Sequence, residues 1–179
     1  DGGLHYSTDA GATWTDITNG LDISQVYKIG QSQTNKQLVI NGYQDNGTAF
    51  YKTGNWHTEI GGDGMECVVD YLDAQVMYGA LYYGDIRRSD DGGSSFTTIA
   101  ENGVNGITEE GDWVTPYKLD PENPDTMYIG YENVWRSFNC KSAATGSVTW
   151  TAISSFASSQ EIVDLAIAPS NTDVMYVSR

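Results

Sequence analysis

Three features of the 179-residue sequence predict an all-β fold, a β-propeller segment of four-stranded antiparallel blades. Glycine and proline punctuate the chain at intervals of about 8–12 residues, the spacing of many short strands. Between those marks apolar and polar residues alternate, the period of a half-buried strand and not of a helix. The third feature is a repeat: segments 26–42, 67–80, 114–130 and 162–178 each read as an apolar strand, a short polar turn and a second apolar strand. Val39, Met77, Met127 and Met175 hold the same place in the four, at steps of 38, 50 and 48 residues.

The remaining strands follow in order. A third strand is expected at 48–53, 85–89 and 133–137, and a fourth carries an aromatic near its start, at Trp14, Trp56, Phe96 and Trp150. Segment 160–168 has the most helical look, but its alignment with the other repeats makes it a first strand. Residues 1–23 supply only a third strand and a fourth, and residues 157–179 only a first and a second. The expected organisation is half a blade (1–23), three blades (24–60, 61–101 and 102–156) and half a blade (157–179), with about 40–50 residues to a unit. Such a chain reads as a segment of a larger propeller, whose remaining blades would be its partners. A closed four-bladed ring, in which the two halves complete each other, is the alternative.

Composition narrows the function. With 24 Asp and Glu against 9 Lys and Arg, the formal net charge is −15. A phosphate backbone needs a basic face, so a generic nucleic-acid role is excluded, as is docking on an anionic membrane. Nor is there a run of about eighteen apolar residues to insert into a bilayer. Charged residues make up only 18% of the chain, and the polar surface is Gly, Ser, Thr, Asn and Asp with 12 Tyr and 5 Trp, a composition suited to a secreted protein.

The most specific motif lies between third and fourth strands. Ser7, Asp9, Gly11 and Trp14 in the first unit, and Ser89, Asp91, Gly93 and Phe96 in the third, both fit S-x-D-x-G-x-[ST]-[WF]. The second unit keeps only Thr53-Gly54-Asn55-Trp56, and the fourth has an expanded version from Ser137 to Trp150. The expected physics is local: the carboxylate accepts N–H groups across the turn, glycine takes a conformation a side chain forbids, and the aromatic fills the gap between neighbouring blades. These aspartates are therefore read as turn-fixing and not catalytic, on the face opposite the usual ligand loops.

The motif resembles the Asp-box of bacterial-neuraminidase-type (BNR) repeats. Beyond it, Tyr43-Gln44-Asp45-Asn46-Gly47-Thr48, Gly61-Gly62-Asp63-Gly64-Met65-Glu66-Cys67, Asp112-Trp113-Val114-Thr115-Pro116 and Asn133-Val134-Trp135-Arg136-Ser137 resemble secreted, sortilin-like propellers of Bacteroidetes-type bacteria. That resemblance implies export by the type IX route to the cell surface or medium and a propeller of seven to ten blades. It implies no particular reaction.

Two enzyme classes share the motif. Sialidases grip a carboxylate with three convergent arginines. Aligning the serines of the third strands here puts Lys52, Arg88 and Arg136 at one repeat position, so those cations are spread around a ring. Xyloglucanase-like glycosidases need two carboxylates flanking a sugar cleft. Asp45, Asp63, Asp85 and Asp112 are the candidates, with Tyr43, Tyr82, Tyr83, Trp113 and Tyr131 as stacking aromatics. No cofactor is implied. His5, His57, Cys67 and Cys140 lack zinc-ligand spacing, and calcium has oxygen ligands in plenty but no loop with a defined spacing. Segment 120–125 reads as a turn. Cys67 on an inner strand and Cys140 in an outer hairpin are expected to be free thiols, with Cys67 buried.

A ligand face would be built by the loops joining strands two and three and by those linking blades. The leading candidate residues are Tyr43, Asp45, Asp63, Tyr82, Asp85, Glu110, Trp113 and Tyr131. An anionic rim rich in Tyr and Trp suits a glycan or protein ligand and argues for a binding or adhesion module. A secreted polysaccharide hydrolase and a purely structural propeller are the alternatives.

Overall fold

The computed structural model describes residues 3–21 and 23–179, so residues 1, 2 and 22 of the first expected half-blade lie outside the described residues. Among the described residues sixteen strands form five antiparallel sheets. A two-stranded sheet, β1 (His5–Tyr6) and β2 (Thr15–Asp16), comes first. Three four-stranded meanders follow: β3 (Val26–Gln31), β4 (Val39–Tyr43), β5 (Gly47–Lys52) and β6 (Asn55–Ile60); β7 (Cys67–Val69), β8 (Met77–Ala80), β9 (Ile86–Ser89) and β10 (Thr97–Ala100); then β11 (Tyr117–Leu119), β12 (Met127–Gly130), β13 (Val134–Ser137) and β14 (Thr151–Ala152). β15 (Asp164–Ile167) and β16 (Met175–Ser178) close the chain as a pair. The described residues contain no α-helix, only 3₁₀ turns at Tyr82–Gly84 and Thr145–Ser147.

Alternation explains the core. Each four-stranded sheet buries apolar side chains against the sheet that follows it, with β8 and β12 buried at every position, whereas β1 and β2 are exposed throughout. Leu38, Ile40 and Phe50 of the first four-stranded sheet pack on Cys67, Val69 and Met77 of the second. Tyr78, Ile86 and Ile99 of the second join Met127, Trp135 and Trp150 of the third. Tyr128 and Val134 meet Ile162 and Leu165 at the last boundary. In the three four-stranded sheets the turns between first and second strands share one device: a side-chain oxygen accepts the N–H groups two and three residues on. Asp70 does this for Leu72 and Asp73, Asp120 for Glu122 and Asn123, and Ser32 for Thr34 and Asn35. Segment 120–125 is thus such a turn.

The hairpins carrying the Ser-x-Asp motif are closed by their own side chains. Asp9 accepts from Ser7 Oγ (2.8 Å), the Thr13 N–H (2.9 Å) and Thr13 Oγ1 (2.6 Å). Asp91 repeats the set with Ser89 Oγ (2.8 Å), the Ser95 N–H (3.0 Å) and Ser95 Oγ (2.7 Å). In the expanded hairpin Asn139 takes the same role, accepting from Ser137 Oγ (3.0 Å), the Thr149 N–H (2.9 Å) and Thr149 Oγ1 (3.2 Å). In the first four-stranded sheet Thr53 and Gly54 turn instead at φ 52° and 89°, the tight two-residue geometry that joins β5 to β6 without help from an aspartate.

Register corrects one sequence alignment. Val39 pairs with Tyr51, Met77 with Ser89 and Met127 with Ser137. Phe50, and not Lys52, therefore occupies the position of Arg88 and Arg136. The aligned serines misled because the turn after Tyr51 is shorter than a full motif. The Phe50 ring seats the next sheet's hairpin: Gly93 stands at φ 94°, and a Cβ there would run into that ring.

The inter-sheet aromatic holds only in part. Trp150 is 7% exposed and its indole N–H donates to the Ile99 carbonyl of the preceding sheet (2.9 Å). Phe96 is half-buried against the Phe50 cluster. Trp14 and Trp56, in contrast, are 64% and 54% exposed. Among the described residues neither is covered by a four-stranded sheet other than its own, and Trp56 packs on Tyr51 and Tyr43 of its own sheet.

Candidate functional site

The loop from β8 to β9 is a tight knot with Tyr83 at φ 59° and Gly84 at φ 85°. Tyr131 lies beneath it, fully buried, and its hydroxyl donates to the Gly84 carbonyl (2.8 Å). Burial raises the Tyr131 hydroxyl pKa well above the ordinary tyrosine value. A Cβ on Gly84 would collide with the Tyr131 ring. Tyr131 is therefore a floor under the rim and no part of its surface, which corrects the expectation from sequence. Its place after a second strand suggested exposure, but the neighbouring knot covers it.

The knot pushes Tyr82 and Tyr83 into solvent, where they meet Trp113 from the long loop that precedes β11. Tyr82 and Trp113 stack face to face, with ring centres 5.1 Å apart and planes 7° apart. Tyr83 stands edge-on to both, at 5.7 and 5.4 Å. Three bonds fix the Trp113 loop: the Gly111 N–H donates to the Tyr83 carbonyl (3.2 Å), the Trp113 N–H to Asp112 Oδ1 (2.8 Å), and the Trp113 indole N–H to the Tyr27 hydroxyl (3.3 Å). Glu109 anchors the same loop to the third sheet, accepting from the Asn133 N–H (2.9 Å), Asn133 Nδ2 (2.8 Å) and the Trp135 indole N–H (2.8 Å).

Beside the aromatics is a cleft of about 400 Å³, walled by Leu81, Tyr82, Tyr83, Asp85, Glu101 and Glu110. Asp85 is committed within it. Arg87 reaches its Oδ2 through Nε (3.0 Å) and Nη2 (2.6 Å), and Thr98 Oγ1 donates to its Oδ1 (3.0 Å). The hydrogen bonds to Asp85 raise the Arg87 guanidinium above its usual pKa. Glu101 and Glu110 are exposed at the wall of the cleft, with their side chains in no hydrogen bond or ion pair among the described residues.

Four of the eight sequence candidates thus gather here: Tyr82, Asp85, Glu110 and Trp113. Tyr43, Asp45 and Asp63 do not line the cleft. The Tyr43 hydroxyl accepts from Asn41 Nδ2 (2.8 Å) and its ring meets Trp56 edge-on. Asp63 accepts the Asp45 N–H (2.5 Å), tying two loops of the first four-stranded sheet together. Asp63, Asp85 and Asp112 each hold local structure, which weakens them as a catalytic pair. Sequence reasoning missed Glu101 and Tyr27. Glu101 ends the fourth strand and carried no motif, and nothing local marks Tyr27 as the partner of Trp113. Cys67 and Cys140 are free thiols, with Cys67 buried as expected and Cys140 buried as well. Among the described residues no group of three His, Cys, Asp or Glu side chains could hold a metal ion, and no helix is long and apolar enough to cross a membrane.

The class these features define is a β-propeller, and solved structures support that assignment. The chain is similar to an ancestral GH74 enzyme at TM-score 0.63, with 16% identity over 98% of this chain and 24% of that one. It is similar to the GH74 enzyme of Niastella koreensis at TM-score 0.60, with 16% identity over 98% of this chain and 30% of that one. With the GH74 xyloglucanase of Xanthomonas campestris the TM-score is 0.54, at 18% identity over 84% of this chain and 26% of that one. The chain thus spans about a quarter of the length of these enzymes, and identities this low establish the fold alone. No protein-family model and no curated protein matches the sequence.

Proposed function

We propose that the chain is a segment of an extracellular Asp-box propeller that binds a glycan on its rim, with Tyr82, Tyr83 and Trp113 as the stacking platform. One observation carries this reading: two exposed rings held face to face, beside an open cleft that presents Glu101 and Glu110 as hydroxyl acceptors. Flat aromatic surface with a few fixed polar groups is what a sugar ring requires. The hydrogen-bond sets of Asp9, Asp91 and Asn139 support the Asp-box reading; secretion by the type IX route, a sortilin-like architecture and a propeller of seven to ten blades rest on the resemblance of segments 43–48, 61–67, 112–116 and 133–137 to secreted propellers.

A glycoside hydrolase is the second reading, favoured by the likeness to solved GH74 enzymes. On it Glu101 and Glu110 replace the aspartates first considered, because these two acids are not consumed by loop structure. Calorimetric titration with xyloglucan oligosaccharides separates the readings. Rim binding predicts saturable affinity that falls by at least about fivefold in a Trp113→Ala, Tyr82→Ala double variant, since each aromatic contact contributes about 0.5–1.5 kcal/mol. Reducing-end release from xyloglucan, abolished in Glu110→Gln, would favour the hydrolase. Unchanged affinity in a folded double variant would move the site elsewhere.

A further inference from the structure

A second polar site lies on the inner strands and shares no lining residue with the rim cleft. Glu66, just before β7, is the centre. Its side chain is only 6% exposed, and among the described residues its Oε2 has no hydrogen-bond partner. Its backbone is pinned, because the Tyr117 hydroxyl (2.9 Å) and the Ala80 N–H (3.1 Å) both donate to its carbonyl. Two ammonium groups approach the carboxylate without closing on it. Lys28 Nζ of β3 stands 3.5 Å from Oε2, and Lys118 Nζ of β11 stands 3.4 Å from Oε1. Charge-assisted bonds close to about 2.7–2.9 Å. Both lysine side chains are partly open, at 43% and 38% exposure, so each keeps N–H groups to offer. Glu66 and Lys118 line a groove of about 360 Å³ that also presents Gln31, Gln33, Val68 and Leu119.

Two ammoniums face the single Glu66 carboxylate in a chain of net charge −15, while the other carboxylates near the groove, Asp70, Asp120 and Glu122, act on Tyr71 at its edge. The group that completes the cluster must accept from two ammoniums and donate to one carboxylate oxygen. A fully deprotonated inorganic anion such as sulfate or nitrate accepts but does not donate, and a neutral sugar offers the two ammoniums no anion. We propose that this inner-strand site binds a hydroxy-carboxylate of the uronic acid kind, its carboxylate on Lys28 and Lys118 and a hydroxyl donating to Glu66 Oε2. The site is independent of the rim reading and stands or falls apart from it.

Titration of the protein with D-galacturonate, D-galactose and acetate at about 0.1 M salt, where the Debye length of about 10 Å screens the remote negative charge, tests the proposal. Galacturonate should bind at least tenfold more tightly than acetate or galactose. Its amide chemical-shift changes in the unmodified protein should centre on residues 28–31, 66–69 and 118–121. A Lys28→Met, Lys118→Met double variant should lose that binding, while Trp113→Ala keeps it. Trigalacturonate binding more tightly than the monomer would assign a polysaccharide as the source, and equal affinity would assign the free acid. Acetate or galactose matching galacturonate, retention of affinity in the lysine double variant, or shift changes centred elsewhere would each overturn it. The shift map holds even if the double variant proves unstable.

Discussion

Arg88 donates to the carbonyl of Cys140 at 2.5 Å, from the third strand of one sheet to the expanded hairpin of the next. Its other amino group serves the Ala143 carbonyl (2.9 Å) and Asp90 (2.8 Å). Around this fork the hairpin is held at several further points. The Cys140 N–H donates to the Asp125 carbonyl, Lys141 Nζ pairs with Asp70 (2.8 Å), and Asn105 Nδ2 donates to the Thr145 carbonyl (2.8 Å). The inserted residues are thus a strap between two sheets.

Arg88→Met should therefore loosen the strap. The side chain is 3% exposed, and its loss removes the donor to the buried Cys140 carbonyl and to the half-buried Ala143 carbonyl. A loss of about 2–4 kcal/mol is expected, read as a fall in denaturant midpoint. Arg88→Lys should recover only part, because an ammonium cannot reach two carbonyls with a planar fork.

The thiols report the same region. Burial pushes Cys67 and Cys140 each up to about 12, against an ordinary cysteine value near 9. Neither should react with a disulfide reagent at pH 8 in the native protein, and both should react in denaturant. In Arg88→Met the Cys140 thiol should become the faster of the two, which peptide mapping of the labelled protein would reveal.

Asp91 makes stability depend on acid. The hydroxyls of Ser95 and Ser89 hold its carboxyl down to about 2, below the usual range near 3.8. A depressed native value means the contribution is present above the unfolded pKa, and is lost as pH falls from about 4 toward 2. Melting temperature measured across that window should fall less steeply in Asp91→Asn than in the parent, while remaining flat above pH 5 in both. Gly93→Ala, in the same hairpin, should be severely destabilising, because it combines φ 94° with a collision on Phe50.

Tyr131→Phe distinguishes floor from rim. Removing the hydroxyl leaves the Gly84 carbonyl without its donor, at an expected cost of about 1–3 kcal/mol. If Tyr131 were a surface residue, thermal stability would not change.

The strand repeat was legible because period and turn chemistry are local: alternation marks each strand, and Asp70 and Asp120 occupy the same turn position in different units. Register was less so. The short turn at Thr53-Gly54 shifts the serine-based alignment, and only the pairing of Val39 with Tyr51 reveals that Phe50 matches Arg88. Within the site, Tyr82 and Trp113 were readable as exposed loop aromatics. Their stacking was not, nor was the contact between Tyr27 and Trp113, because residues 86 apart in sequence meet only through the placement of three sheets. Tyr131 shows the converse, a loop residue buried by a neighbour that its own segment does not announce.

The seating of each hairpin on the sheet before it gives the array a sense of direction. Gly93 rests on Phe50, Lys52 Nζ donates to the Gly92 carbonyl (3.1 Å), and Trp150 and Arg88 join the second four-stranded sheet to the third. In each contact the later unit is a lid and the earlier one its seat. A lid without a seat leaves its aromatic in water, the condition of Trp14 and Trp56 among the described residues. A seat without a lid uncovers Phe50 or the Arg88 guanidinium. Fraying should accordingly be polar, as in a row of roof tiles: lifting the uppermost course bares the one below, whereas the eaves can go first with little harm to the rest.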